Sequence, residues 1–191
     1  MRKLLLFGLV AALGVLGISA VALASRSHDK GKSNDFKAKM NGWEEDPSQV
    51  TTGKGSFTAH IDSATQISFT LKFQDLEATN VLFSHIHIGS RHESGGVSAF
   101  LCGGTTQPAC PQAASGTVNG TILADDIVGP TGQGVEPGNF ADLIRAMRRG
   151  ETYANLHTNP RAPGGEIRGQ ITKSKHHDDD DDHNGGKRKR H

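Results

Sequence analysis

Apolar and polar residues alternate with a period of two through most of the chain between Asp35 and Thr172, the pattern of strands that bury one face. Phe36, Ala38 and Met40 share one side of a first strand whose other side is Lys37, Lys39 and Asn41, and Gly42 closes it. Residues 55–61 alternate, turn at Asp62-Ser63-Ala64-Thr65 and return as residues 66–73, where Ile67, Phe69, Leu71 and Phe73 make a continuous apolar face. That is a hairpin covering a core. Strands are also expected at 81–88, 97–101 and 116–123, the last interrupted by Gly120, read as a bulge. Residues 152–158 and 166–172 close the series on either side of a turn at 159–165.

One segment breaks the period. Phe140, Leu143, Ile144 and Met147 fall at i, i+3, i+4 and i+7, with Asn139 as N-cap and Gly150 as the residue after the last turn, so a short helix is expected over 139–149. Arg145, Arg148 and Arg149 lie on its outer side or in its last turn, where cations suit the carbonyl end. The connections at 43–52, 89–96 and 125–138 are polar or rich in Gly and Pro, and read as loops. The fold class is all-β with one short helix.

The two ends follow other rules. Met1-Arg2-Lys3, an apolar run over 4–24 and the ending Ala22-Leu23-Ala24 are the layout of a secretory signal peptide, 1–24. A retained membrane anchor is the alternative reading of the same run. Cleavage would leave a secreted, periplasmic or cell-surface protein with no membrane segment. A linker at 25–34 precedes the domain at 35–173. Residues 174–191 carry His176, His177, five consecutive aspartates, His183 and then a basic end. With no apolar residue for a core, this tail is expected to be disordered, either simply solvated or holding divalent metal weakly.

Composition then narrows the function. The formal net charge of +1 over 191 residues, and arginines without interleaved aromatics, exclude a nucleic-acid-binding role. Cys102 and Cys110 bracket a Gly- and Pro-containing loop; in an exported chain they are expected to form a local disulfide, the alternative being two thiolate ligands for a metal.

Candidate chemistry centres on Phe83-Ser84-His85-Ile86-His87-Ile88-Gly89. As a strand, it points His85 and His87 the same way, with roots about 6 to 7 Å apart. Both can reach one copper or zinc ion. His157, on another alternating segment, is a third candidate ligand, with His60 and His92 as further ones. Three imidazoles leave a position open to water or substrate. The competing reading makes these histidines hydrogen-bonded wall residues partnered by Asn155, Glu166 and Arg168, which are also candidates for a shell behind a metal. Arg168 itself either pairs with Glu166 or a loop carboxylate, or steers a small anion. No nucleophile stands beside a base and there is no phosphate loop, so binding outranks catalysis. The Gly- and Pro-rich loops suit a scaffold that contacts an unidentified extracellular protein or glycan. No signal of oligomeric state is present.

The segments His85-Ile86-His87-Ile88-Gly89 through Gly95-Gly96-Val97, and Gly150-Glu151-Thr152-Tyr153-Ala154-Asn155-Leu156-His157-Thr158 with Pro163-Gly164-Gly165-Glu166-Ile167-Arg168-Gly169-Gln170-Ile171, resemble the CHRD domain, named after chordin. The resemblance covers about 36–172. It implies an exported Greek-key sandwich or barrel, immunoglobulin-like or superoxide-dismutase-like, with no settled activity. Chordin's growth-factor role is not implied, because its cysteine-rich modules are absent here. A fainter similarity to copper/zinc superoxide dismutase implies copper on His85, His87 and His157 and a substrate-guiding role for Arg168. The Asp and His cluster that holds zinc in that enzyme has no counterpart, so a dismutase-like redox reaction is the third reading.

Overall fold

The structure is a computed structural model and describes residues 33–174. The expected signal peptide, nearly all of the linker and all but the first residue of the tail lie outside the described residues. Among the described residues nine strands are formed: β1 (Asp35–Asn41), β2 (Lys54–Ser63), β3 (Gln66–Gln74), β4 (Val81–Ile88), β5 (Val97–Cys102), β6 (Gly116–Leu123), β7 (Thr152–Thr158), β8 (Ala162–Gln170) and β9 (Thr172–Lys173). One α-helix, α1 (Phe140–Arg149), joins β6 to β7. Asn139 accepts the Asp142 N–H at its start, and Gly150 ends it in the left-handed conformation, as the sequence requires.

The strands form one antiparallel sheet in the order β5-β4-β7-β8-β1-β2-β3-β6, with β9 beside β1. Its two ends, β5 and β6, approach each other and nearly close a barrel. Around that circle β4, β5 and β6 lie side by side and β3 returns next to β6, which is a Greek key. The inward set is the apolar one of the alternation: Phe36, Met40, Phe57, Ile67, Leu71, Ile86, Leu101, Ile122, Leu156 and Ile167 are fully buried. Phe140, Leu143, Ile144 and Met147 of α1 join the same core.

Two expectations are corrected. Gly120 is no bulge, because β3 and β6 pair in unbroken register from Gln66–Leu123 to Phe73–Gly116. Gly120 lies opposite Phe69, whose ring would meet an added Cβ at 2.6 Å, so the missing side chain makes room for an aromatic. Strand β8 begins at Ala162, paired with Thr158, four residues before the expected start. Pro163, Gly164 and Gly165 belong to that strand, beside an irregularity in the β7–β8 register.

Candidate metal centre

Because β4, β7 and β8 are neighbours, their outward residues form a small grid. His85 stands opposite Asn155 on one side and Phe100 on the other, His157 opposite Phe83, His87 opposite Tyr153, and Arg168 opposite Asn155. This patch lies outside the barrel yet is dry: His85, His87 and His157 are 4%, 8% and 7% exposed. The β1–β2 and β4–β5 loops roof it. Arg91 forms an ion pair with Glu44, the Ser94 hydroxyl donates to Asp46 at 3.1 Å, and the Gly95 N–H donates to the Tyr153 hydroxyl at 3.1 Å.

The three histidines each turn a ring nitrogen toward one point, all within 4.8 Å of one another. His87 Nδ1 lies 2.9 Å from the Gly95 carbonyl and His157 Nδ1 2.9 Å from the Pro163 carbonyl. A carbonyl only accepts, so both Nδ1 atoms carry the proton and both Nε2 atoms of the neutral rings carry lone pairs. The rings are neutral at pH 7. Burial drives the pKa of His85 down to about 3, with the nearby His157 and His87 adding to it, and burial drives His157 down to about 4. His87 is lowered chiefly by burial as well.

Those lone pairs face more lone pairs. Asn155 Oδ1 is 3.0 Å from His87 Nε2 and 2.9 Å from His157 Nε2, and His85 Nδ1 is 3.3 Å from His87 Nε2. None of these four atoms brings a proton to the contact unless His85 does, so the arrangement calls for an electrophile. A cation supplies one. Two nitrogens held at 2.0–2.1 Å by a tetrahedral zinc lie about 3.3 Å apart, the separation found between His87 and His85. The donor set, neutral imidazole nitrogen, suits copper or zinc. Turning the Asn155 amide by half a turn, so that its NH2 meets both histidines, satisfies the same contacts without an ion.

The surrounding residues divide in ways the sequence did not show. Arg168 is buried and lies with its guanidinium carbon 3.4 Å from the centre of the Tyr153 ring, and Tyr153 stacks on His87 at 4.7 Å. Its Nη2 donates to the carbonyls of Ser90 and Glu93 at 2.8 and 2.9 Å. It therefore ties down the roof, and its hydrogen bonds go neither to Glu166 nor to a loop carboxylate, as expected from sequence. Glu166 is fully buried and accepts from the Thr51 and Thr158 hydroxyls and the Glu77 N–H at 2.7, 2.6 and 2.8 Å, none of them part of the histidine cluster. His60 pairs with Asp35 elsewhere and His92 is exposed, so neither joins the triad.

Phe83 and Phe100 flank His85, each with ring centres 4.7 Å from it, on the side where the disulfide loop packs. Cys102 and Cys110 are bonded to each other, which removes the thiolate-ligand alternative. One residue was missed altogether: Glu45, in the roof, is only 6% exposed, with Oε1 lacking a hydrogen-bond partner. A loop carries no periodicity, so only the acidic run after Gly42 hinted at it.

No curated protein matches this chain. The sequence profile of the CHRD domain matches residues 36–171, which spans β1 to the end of β8 and includes all three histidines. The chain belongs to the CHRD-domain family.

Proposed function

We propose that this protein is an exported metal-binding CHRD domain that holds one copper or zinc ion on His85, His87 and His157. The observation that carries this reading is the convergence of neutral imidazole lone pairs on Asn155 Oδ1, with the opposite nitrogens of His87 and His157 already committed as donors. Export rests on the N-terminal pattern of a basic start, an apolar run and a small-residue end. A bound ion would supply Lewis acidity at a position walled by Phe83 and Phe100. The chain's own part is to hold the imidazoles neutral, fix their tautomers through Gly95 and Pro163, and exclude water with the roof. Cobalt(II) substitution tests this: the visible absorption of a low-coordinate nitrogen-ligated ion is expected, and its loss in His157→Ala. A spectrum unchanged by that substitution contradicts the reading.

A second reading is a metal-free scaffold that contacts a protein or glycan outside the cell. Its support is the turned amide described above, together with Trp43 and Val50, 64% and 70% exposed on the β1–β2 loop. Nitrogen NMR of His87 and His157 separates the two, since added zinc shifts both Nε2 resonances only if they are ligands.

A further inference from the structure

Glu45 occupies a place that an ordinary surface carboxylate does not. The chain enters the roof through Gly42–Glu44, a single 3-10 turn, and Glu45 then drops its side chain between the roof and strand β8. Gly165, at φ +135°, lies so close that an added Cβ would meet both carboxylate oxygens at 2.7 Å. The charged or titratable groups facing Glu45 are Arg168, its chain neighbour Asp46 and Tyr153. Asn155 approaches the carboxylate as a hydrogen-bond donor, while Oε1 stays buried without a partner.

Asn155 therefore sits between two groups with opposite needs. With its NH2 on Glu45, it shows Oδ1 to the histidines, the arrangement an ion completes. With its NH2 on the histidines, it shows Oδ1 to Glu45, and only a protonated carboxyl can donate back. We propose that Glu45 is a positioning residue of the metal centre, acting through Asn155 so that ion binding at the histidines is coupled to loss of the Glu45 proton. This rests on the metal-binding reading above. Burial is the main cause that lifts the Glu45 pKa to about 8, with Asp46 adding to it, against the lowering effects of Arg168 and the Asn155 hydrogen bond. The proton is thus present at neutral pH in the metal-free protein. The histidines are already neutral there and release none.

The test compares zinc binding by the full chain and by Glu45→Gln from pH 6.5 to 8. Gln keeps the size and hydrogen-bonding atoms but cannot titrate. Wild-type affinity is expected to rise with pH more steeply than that of Glu45→Gln, by about tenfold per pH unit, the difference of one coupled proton. Any proton from the tail or a zinc-bound water is common to both chains and cancels. Equal slopes in the two proteins overturn the inference while leaving the metal site standing; absence of histidine-dependent zinc binding in the wild type sinks the metal reading itself. Should Glu45→Gln fail to fold, carboxyl carbon NMR of the wild type at pH 7 decides. The Glu45 resonance is expected to move from the protonated to the ionised position when zinc is added, and a resonance that stays put overturns the inference.

Discussion

The two halves of this barrel obey the same period of two and treat it differently. Along β2 and β3 the outward residues, such as Lys54, Ser56, Thr58, Thr70 and Lys72, are exposed or half-exposed between buried apolar ones. Along β7 every residue is buried, and in β8 so are Glu166 and Arg168. The first half is what a folding core alone demands. The second covers Tyr153, Asn155, His157, Glu166 and Arg168 with loops, although burying such groups costs about 1–3 kcal/mol for each that is left unpaired. Folding gives no reason for that roof; a site that must be dry does.

Acid should expose the difference. For His85 and His157 the folded pKa values of about 3 and 4 lie below the unfolded value of 6.5. The unfolded chain therefore binds more protons, and stability is lost as pH falls below 6.5. Glu45 works the other way: its folded pKa of about 8 exceeds 4.5, so it lowers stability as pH rises between those values. The sum predicts a maximum for the metal-free protein near pH 6.5, a loss on the order of 1–1.5 kcal/mol by pH 5, and a shallower decline toward pH 8. Urea midpoints across that range check it, and a flat profile would show that the roofed half is wetter than described.

Larger in free energy is Glu166→Ala. It strands the Thr51 and Thr158 hydroxyls and the Glu77 N–H, and is expected to cost about 3 kcal/mol. Thermal unfolding should show it, with histidine-dependent metal binding retained in the folded fraction. Cys102→Ser with Cys110→Ser should cost about 2–3 kcal/mol by freeing the loop that packs against Phe83 and Phe100. At the small end stands Thr58→Ala on the wet half, expected within about 0.5 kcal/mol of wild type by the same melt. A large effect there would erase the contrast between the halves.

Much of this was readable from the chain. Alternation located the strands, the spacing from Phe140 to Met147 with its Asn139 cap gave the helix, and two histidines two apart on a strand had to share a face. What failed to show depends on partners far away in sequence. Pro163, Gly164 and Gly165 have turn composition, and only the pairing of Ala162 and Ile167 on either side of them with β7 makes them part of a strand. Arg168 next to Glu166 suggests an ion pair, but the guanidinium finds Tyr153 and the Ser90 and Glu93 carbonyls of a loop some 75 residues away. Burial of Glu45 has no local signature at all. Asn155 was visible as a neighbour, but not as the amide whose Oδ1 lies 3.0 and 2.9 Å from Nε2 of His87 and His157.

The most direct test is elemental analysis of protein ending at Ser174, so that His176, His177, His183 and the aspartates between them contribute no ions. After equilibration with copper or zinc and removal of the excess, the account predicts close to one ion per chain. In His85→Ala, His87→Ala and His157→Ala that value should fall toward zero. Fewer than about 0.2 ions per wild-type chain, where a tight site of this kind would be filled, or a full complement that survives loss of the histidines, contradicts it.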